Sequence, residues 1–309
     1  VTINKDFKDG EAYEDVMPTA KEIIDVLAEN GIEPAAGHHF EVLTDWFGDG
    51  AWLYNKETGS AFDVSEKAKG SKLKLVIRAG VGVDNIDIPA ANANGIEVKN
   101  TPNASSNSVA ELAIGHMFAL ARYIAISNVT MRNGEWNKKK YEGSEIFGKT
   151  LGIIGMGRIG QSLAKKAEAL GMKVVYTDLF GKNDKLAYEF LSLEDLLKTS
   201  DFISLHVPYD KNQGSLIGKA QFDMMKDGVF LIDCARGKVV EEAALLEALN
   251  SGKVAGAGLD VYEEEPTKNT ELVNHPRVSA TPHIGAATKE AQTRIGEEVV
   301  STIKTFFNL

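Results

Sequence analysis

Four short segments hold residues whose types suit proton transfer and the grip of an acid. His283 sits in "TPHIG" (281–285), Arg236 in "CARG" (234–237), and Glu263–Glu265 run up to Pro266 in "EEEP", while Arg78 opens "RAGVG" (78–82). Histidine titrates in the range where a proton must be taken from or returned to an alcohol. A carboxylate beside it stabilises the imidazolium and raises its pKa. The arginine fork grips a carboxylate through two parallel N–H bonds. Read singly, each has a plainer use: an ion pair for Arg236, a hydrogen-bonded core position for His283, a solvated turn for the glutamates. As a set they supply a base, its tuner and a clamp. Which glutamate would tune the histidine is not decided by spacing.

A second pattern supplies a reaction for this set. "TLGIIGMGRIG" (150–160) runs from an apolar strand pattern into a helical one and spaces Gly155, Gly157 and Gly160 as G-x-G-x-x-G, with Met156, Arg158 and Ile159 between them. "MKVVYTD" then ends on Asp178, 18 residues beyond Gly160. A pyrophosphate is held by the bare N–H groups and positive end of a helix start, provided no side chain blocks the approach. The glycines allow the turn, the approach and the packing of helix on strand, and the acid accepts the ribose hydroxyls. Its charge repels a 2′-phosphate, which favours NAD over NADP. Hydride transfer between nicotinamide and a hydroxyl-bearing carbon needs the base and clamp described above.

These residues need a frame. Short apolar runs ("AWLY", "LKLVIRAG", "GIEV", "TLGIIG", "KVVYTD", "DFISLHVP", "GVFLIDCARG", "VAGAGLDVY") alternate with helical patterns such as "PTAKEIIDVLAEN" and "KVVEEAALLEALNSG". The pattern predicts α/β architecture with parallel sheets, whose strand ends gather ligands. About 150 residues precede the glycine motif. They predict a separate domain over 1–100, a boundary near 101, and a long apolar helix after the loop at Pro102 and Asn103. The closing amphipathic helix is expected to return to the first domain. The expected division is therefore 1–100 with 287–309, and 101–286.

Composition narrows the class. The 309 residues are 43% hydrophobic and 25% charged, with net charge −10 and a pI near 5.2, which argues against disorder and against nucleic-acid binding. No apolar run is long enough to span a membrane, and the start lacks a signal-peptide pattern, so a cytoplasmic place is expected. A lone Cys234 predicts a small buried residue rather than a disulfide. His38 and His39 ahead of Glu41 do not make a metal site, and none is expected.

The order of "RAGVGVDNID", "NTPNASSNSVAE", "GKTLGIIGMGRIG", "HVP", "DCARG", "GLDVYEEEP" and "TPHIGAAT" resembles the D-2-hydroxyacid dehydrogenase family, and most of all its D-3-phosphoglycerate dehydrogenase branch. The resemblance runs from about residue 73 to the C-terminus. It implies two doubly wound parallel-sheet domains, one Rossmann and one flavodoxin-like and discontinuous, with the active site between them and a homodimer through the NAD-binding domain. It implies that Arg236 binds the substrate carboxylate, Glu265 tunes the histidine, and His283 is the acid/base. The amides of Arg78, Ala79, Gly80, Val81 and Gly82 are implied to hold the carboxylate end of the substrate. Asp260 and the Cys234 carbonyl, with Ala235 and Gly285 beside them, are implied to face the nicotinamide, and His206, Val207 and Pro208 the adenosine side.

Two positions depart from that branch, and a third agrees with it. Asn55, followed by Lys56, stands where a phosphate-binding arginine is usual, and Gln213 where a threonine follows "HVP". Lys138 in "RNGEWNKKKYEG" occupies a place that can be cationic. The chain ends before the regulatory domain of larger relatives, so feedback through one is not expected. The resemblance implies NAD-dependent oxidation of 3-phosphoglycerate to 3-phosphohydroxypyruvate, the entry to serine biosynthesis. The alternatives are a hydroxypyruvate, glyoxylate or D-lactate type enzyme, favoured by Asn55, and an NAD-sensing corepressor-like binding protein.

Overall fold

Strand-forming runs separated by helices build one large parallel sheet. The computed structural model describes residues 74–83 and 86–308, and the backbone of 54–55 and 60–61. The chain forms two units, Val1–Ser105 with Ala286–Leu309, and Ser106–Gly285.

In the second unit, strands β5 (Thr150–Ile154), β6 (Lys173–Thr177), β7 (Glu189–Phe190), β8 (Phe202–Leu205), β9 (Val229–Asp233), β10 (Val254–Leu259) and β11 (Val278–Ala280) pair in the order β11-β10-β9-β8-β5-β6-β7. Every pairing is parallel. Parallel neighbours need crossovers, and helices α4 (Arg158–Ala169), α5 (Leu193–Thr199), α6 (Lys219–Met224), α7 (Glu242–Ser251) and α8 (Thr270–Val273) lie on the connections between successive strands, while α2 (Ser106–Ala121) and α3 (Ile124–Arg132) precede β5. The order reverses between β5 and β8, the switch point where such sheets bind ligands. This is the Rossmann arrangement.

Both sheet faces are covered, which explains why the strands read as continuous apolar runs. On one face Val109, Ala113 and Met117 of α2 and Leu163 and Ala167 of α4 pack with Leu151 and Ile153 of β5. On the other, Leu196 and Leu197 of α5 and Leu245 and Leu249 of α7 pack with Ile203, Leu231 and Ala257. Fully burying one such leucine contributes about 1.5–3 kcal/mol.

The first unit contains β3 (Leu75–Arg78) parallel to β4 (Glu97–Asn100), linked by α1 (Ile88–Ala93), which Asp87 caps through the Ala90 N–H at 2.9 Å. Helix α9 (Lys289–Phe307) lays Ile295, Val299 and Ile303 against Ala104, with Leu75 and Ile77 packed alongside. Strands β1 (Tyr54–Asn55) and β2 (Ser60–Ala61) form an antiparallel pair. Of the flavodoxin-like sheet expected for residues 1–100, the parallel pair β3 and β4 is described; the helix read over 18–30, and His38, His39 and Lys56 lie outside the described residues.

Some elements differ from the sequence reading. The single helix expected after residue 105 breaks at Tyr123, which adopts a left-handed conformation (φ +54°) without glycine or proline. Helix α7 begins at Glu242, four residues later than its pattern, because Val239 and Val240 are buried and Val240 bridges Ile217. Strands β7 and β11 were not anticipated; two and three residues are too few to show a period. Among the described residues no single helix is long and apolar enough to cross a membrane, and α2 and α3 are bent by 65° at their junction.

Candidate active site

The glycine loop joins the end of β5 to the start of α4. Gly155 has φ +95°, and a side chain there would collide with the His206 carbonyl at the end of β8. At Gly160 a side chain would strike the Gly155 carbonyl, so this glycine brings helix and strand together. Gly157, the N-cap of α4, makes no side-chain cap and faces space with no atom within 4 Å of an added Cβ. Met156 is buried, Arg158 exposed and Ile159 half-buried. An uncapped helix start behind a bare, open glycine, at the switch point of the sheet, fits a dinucleotide pyrophosphate.

Asp178 follows β6, where an acid for the ribose belongs. Its carboxylate already accepts the Met156 N–H (2.8 Å) and the Phe180 N–H (3.0 Å). Each oxygen keeps a lone pair for a ribose hydroxyl, and the residue also clamps the glycine loop. Asp178→Ala should therefore raise use of NADP relative to NAD while weakening both, by about tenfold for NAD if one charge-assisted bond is lost. Cofactor titrations with both nucleotides measure this; an unchanged ratio would place the acid away from the ribose.

Arg236, Asp260 and His283 follow the carboxyl ends of β9, β10 and β11, so parallel strands bring distant residues to one rim. His283 Nδ1 meets Glu265 Oε2 at 2.6 Å, and the other oxygen of Glu265 accepts the Tyr262 N–H at 3.0 Å. The Glu265 side chain is 10% exposed and that of His283 32%. Burial pulls the His283 pKa down, but the bond and charge of Glu265, aided by Asp260, outweigh it and leave the pKa above the ordinary value; nearby Arg236 opposes them. The Glu263 carboxylate accepts the Glu242 N–H while that of Glu242 accepts the Glu263 N–H, and Glu264 pairs with Lys268, so only Glu265 meets the histidine.

Tyr262 ties these turns together. Its hydroxyl donates to the Thr281 carbonyl (3.0 Å), and its own carbonyl lies where a side chain on Gly237 would have to go. Burial, then the carboxylates of Asp260 and Glu265, push its pKa to about 12. The guanidinium of Arg236 donates to the Ala235 carbonyl at 2.6 Å.

Beneath the rim lie two buried acids. Asp233 accepts the Ala235 N–H (2.9 Å), and burial raises its pKa to about 7. Asp260 accepts from Thr281 Oγ1 (2.6 Å), from the Ile284 N–H (2.8 Å) and from the Gly285 N–H (2.8 Å); burial raises its pKa, and these donors oppose the rise. The family resemblance implies that Asp260 faces the nicotinamide; in the structure its carboxylate holds the turn of His283, which has φ +54°. Cys234 is buried, and burial with the adjacent acids pushes its thiol pKa well up.

The remaining expected residues are spread over both units. His206 follows β8 and donates its N–H to the Ile154 carbonyl of β5 (2.8 Å), and its Nε2 meets Ser204 Oγ at 2.9 Å while Nδ1 is buried without a hydrogen-bond partner; burial lowers its pKa to about 4. Val207, half-buried, and Pro208, exposed, continue that strand end. Lys138 opens an exposed 3-10 turn, Lys138–Lys140. Gln213 contacts Asp210. In the first unit, Asn100 Nδ2 donates to the Val81 carbonyl (2.6 Å) and the Thr101 N–H to that of Gly80 (3.0 Å), shaping the turn from Arg78 through Ala79 to Gly82. The side chain of Asn55 lies outside the described residues. Among the described residues, no group of three or more His, Cys, Asp or Glu side chains is placed to hold a metal ion.

A Rossmann sheet with a bare glycine loop and a histidine–glutamate pair at its rim defines a dinucleotide-dependent oxidoreductase. The family profile described as D-isomer specific 2-hydroxyacid dehydrogenase, NAD binding domain, matches residues 114–285. A hydroxypyruvate reductase of Thermotoga maritima is 49% identical over 237 residues, 76% of this chain and 78% of that protein. A D-3-phosphoglycerate dehydrogenase of Methanocaldococcus jannaschii is 43% identical over 293 residues, 93% of this chain but 56% of that protein, so the chain spans about half that relative's length. A D-lactate dehydrogenase from Aquifex aeolicus, solved with NAD and lactic acid, superposes with TM-score 0.70 at 36% identity, covering 78% of each chain. The chain belongs to the D-isomer-specific 2-hydroxyacid dehydrogenase family, and its cofactor is NAD.

Proposed function

We propose that this chain oxidises D-3-phosphoglycerate to 3-phosphohydroxypyruvate and catalyses the reverse reduction, an entry step to serine. The observation that carries its chemistry is the 2.6 Å His283–Glu265 pair set beside Arg236. Gly155 through Gly160, Asp178, His206–Pro208 and the turn at Cys234–Ala235 would hold NAD, which supplies the hydride acceptor when bound and, reduced, the donor. Glu265 occupies Nδ1 of His283, so proton exchange with the substrate hydroxyl falls to Nε2. In oxidation the neutral imidazole takes that proton, and Glu265 stabilises the imidazolium that results. In reduction the imidazolium returns it to the carbonyl oxygen. Arg236 grips the substrate carboxylate, so that C2 is fixed in place for the transfer.

The choice of acid is supported by the likeness to phosphoglycerate dehydrogenases across nearly the whole chain. A phosphorylated substrate needs a cation, and Lys138 is the candidate. The specificity constant for 3-phosphohydroxypyruvate should exceed those for hydroxypyruvate, glyoxylate and pyruvate, and Lys138→Ala should lower it about tenfold without touching the unphosphorylated acids. The second reading is hydroxypyruvate reduction, favoured by the 49% identical reductase. A preference for hydroxypyruvate, with Lys138→Ala silent, would establish it in place of the first. The resemblance-based expectation of a homodimer through the NAD-binding unit belongs to the same reading, as does a cytoplasmic place. Helix α3 buries no residue and exposes Ile124, Val129 and Met131, with Trp136 beyond it, which supports a second copy there. A single-chain mass by sedimentation equilibrium would refute the dimer.

A further inference from the structure

An imidazole inside an apolar helix is costly unless both ring nitrogens are satisfied. His116, in the stretch "AELAIGHMFALA" of α2, is 2% exposed. Its Nδ1 lies 2.9 Å from Ser279 Oγ and its Nε2 3.1 Å from Thr281 Oγ1. Strand β10 makes room for the ring: a side chain on Gly258 would lie 2.6 Å from the His116 Cβ. The residue takes no part in the proton chemistry assigned above.

The protons in this cluster can be counted. Thr281 donates its single hydroxyl proton to Asp260 Oδ1 at 2.6 Å; its other acceptor, the Leu259 carbonyl, is at 3.5 Å. Its oxygen must then accept from His116 Nε2–H. Burial lowers the His116 pKa to about 4, so the neutral ring carries one proton only, and Nδ1 accepts from Ser279. The chain runs one way: Ser279 to His116 to Thr281 to Asp260. At its far end the two oxygens of Asp260 hold the N–H groups of Ile284 and Gly285, the residues that follow His283.

We propose that His116 is a positioning residue for His283, acting through Thr281 to orient Asp260 and so hold the left-handed turn on which the imidazole is carried. This rests on the reading of His283 as the acid/base. The charges facing the Asp260 end of the chain are Asp233, Glu265, Arg236 and His283; Cys234 and Tyr262 stay un-ionised there. Because Asp260 helps to raise the His283 pKa, a displaced Asp260 lowers it.

The test compares His116→Leu, His116→Gln, Thr281→Val and the His116→Leu/Thr281→Val double variant with the parent enzyme, in NADH-dependent reduction of its best 2-oxo acid. His116→Leu should lower kcat about tenfold with KM for NADH within about twofold, as a displaced catalytic group does. The limb of its pH profile that reports His283 should move to lower pH. His116→Gln, which keeps an N–H for Thr281, should recover most of the rate. The double variant should be no slower than the slower single one, because both cut the same chain. Nitrogen-15 NMR of histidine-labelled parent enzyme should show His116 as the Nε2–H tautomer across neutral pH, a readout that does not depend on any variant folding. An Nδ1–H tautomer, a kcat for His116→Leu equal to that of the parent, or multiplying losses in the double variant would overturn the proposal. Full activity in His283→Ala would instead overturn the functional reading, whatever the tautomer shows.

Discussion

Replacing His283 by alanine is expected to lower turnover by about a hundredfold or more, the usual contribution of a positioned acid/base. NAD binding should stay near that of the parent, because the glycine loop and Asp178 lie on other strand ends and keep their contacts. The loss should appear in kcat and kcat/KM together, as for an interaction made in the transition state. Stopped-flow reduction of a 2-oxo acid separates this from slow product release. A variant with parent-like turnover would place the proton transfer elsewhere.

The second large effect is expected at Arg236. Truncation to alanine removes a bidentate, charge-assisted grip on the substrate carboxylate, and kcat/KM should fall about a thousandfold. Arg236→Lys should recover only part of this, because a point charge cannot reproduce the planar fork. Arg236 also lowers the His283 pKa, so its removal should move the histidine limb of the pH profile to higher pH. Kinetics of both variants over a pH series measure the two effects separately. A loss confined to NADH binding would mean that the arginine serves the cofactor instead.

The glycine loop was legible in the sequence because its function is the absence of side chains at fixed offsets. Gly155, Gly157 and Gly160 carry that pattern in six consecutive residues. The sheet was legible for a similar reason, since strands buried on both faces read as apolar runs. The pairing of Glu265 with His283 was not, because the partners lie 18 residues apart on different loops and three adjacent glutamates read alike. Family resemblance pointed to Glu265; in the structure it is the one whose carboxylate meets Nδ1. Asp260 was named only through the family resemblance, and its hold on the Ile284 and Gly285 amides depends on a turn that no local pattern marks. His116 and Ser279 lie 163 residues apart, and in sequence His116 is a single polar letter in an apolar helix. Tyr262 looked like one more apolar residue at a strand end, while its hydroxyl and backbone bind three turns together.

The central claim is that one histidine, tuned by Glu265, carries the proton in both directions. The measurement that tests it most directly is the pH dependence of kcat/KM for reduction and for oxidation, in the parent enzyme and in Glu265→Gln. Reduction needs the imidazolium, so its rate should fall as pH rises through a pKa above the ordinary histidine value, and oxidation, which needs the neutral ring, should rise through the same pKa. Glu265→Gln removes the charge that raises that pKa, so both limbs should move together to lower pH. Limbs that do not mirror each other, or that stay in place in Glu265→Gln, would contradict the assignment of His283 and Glu265.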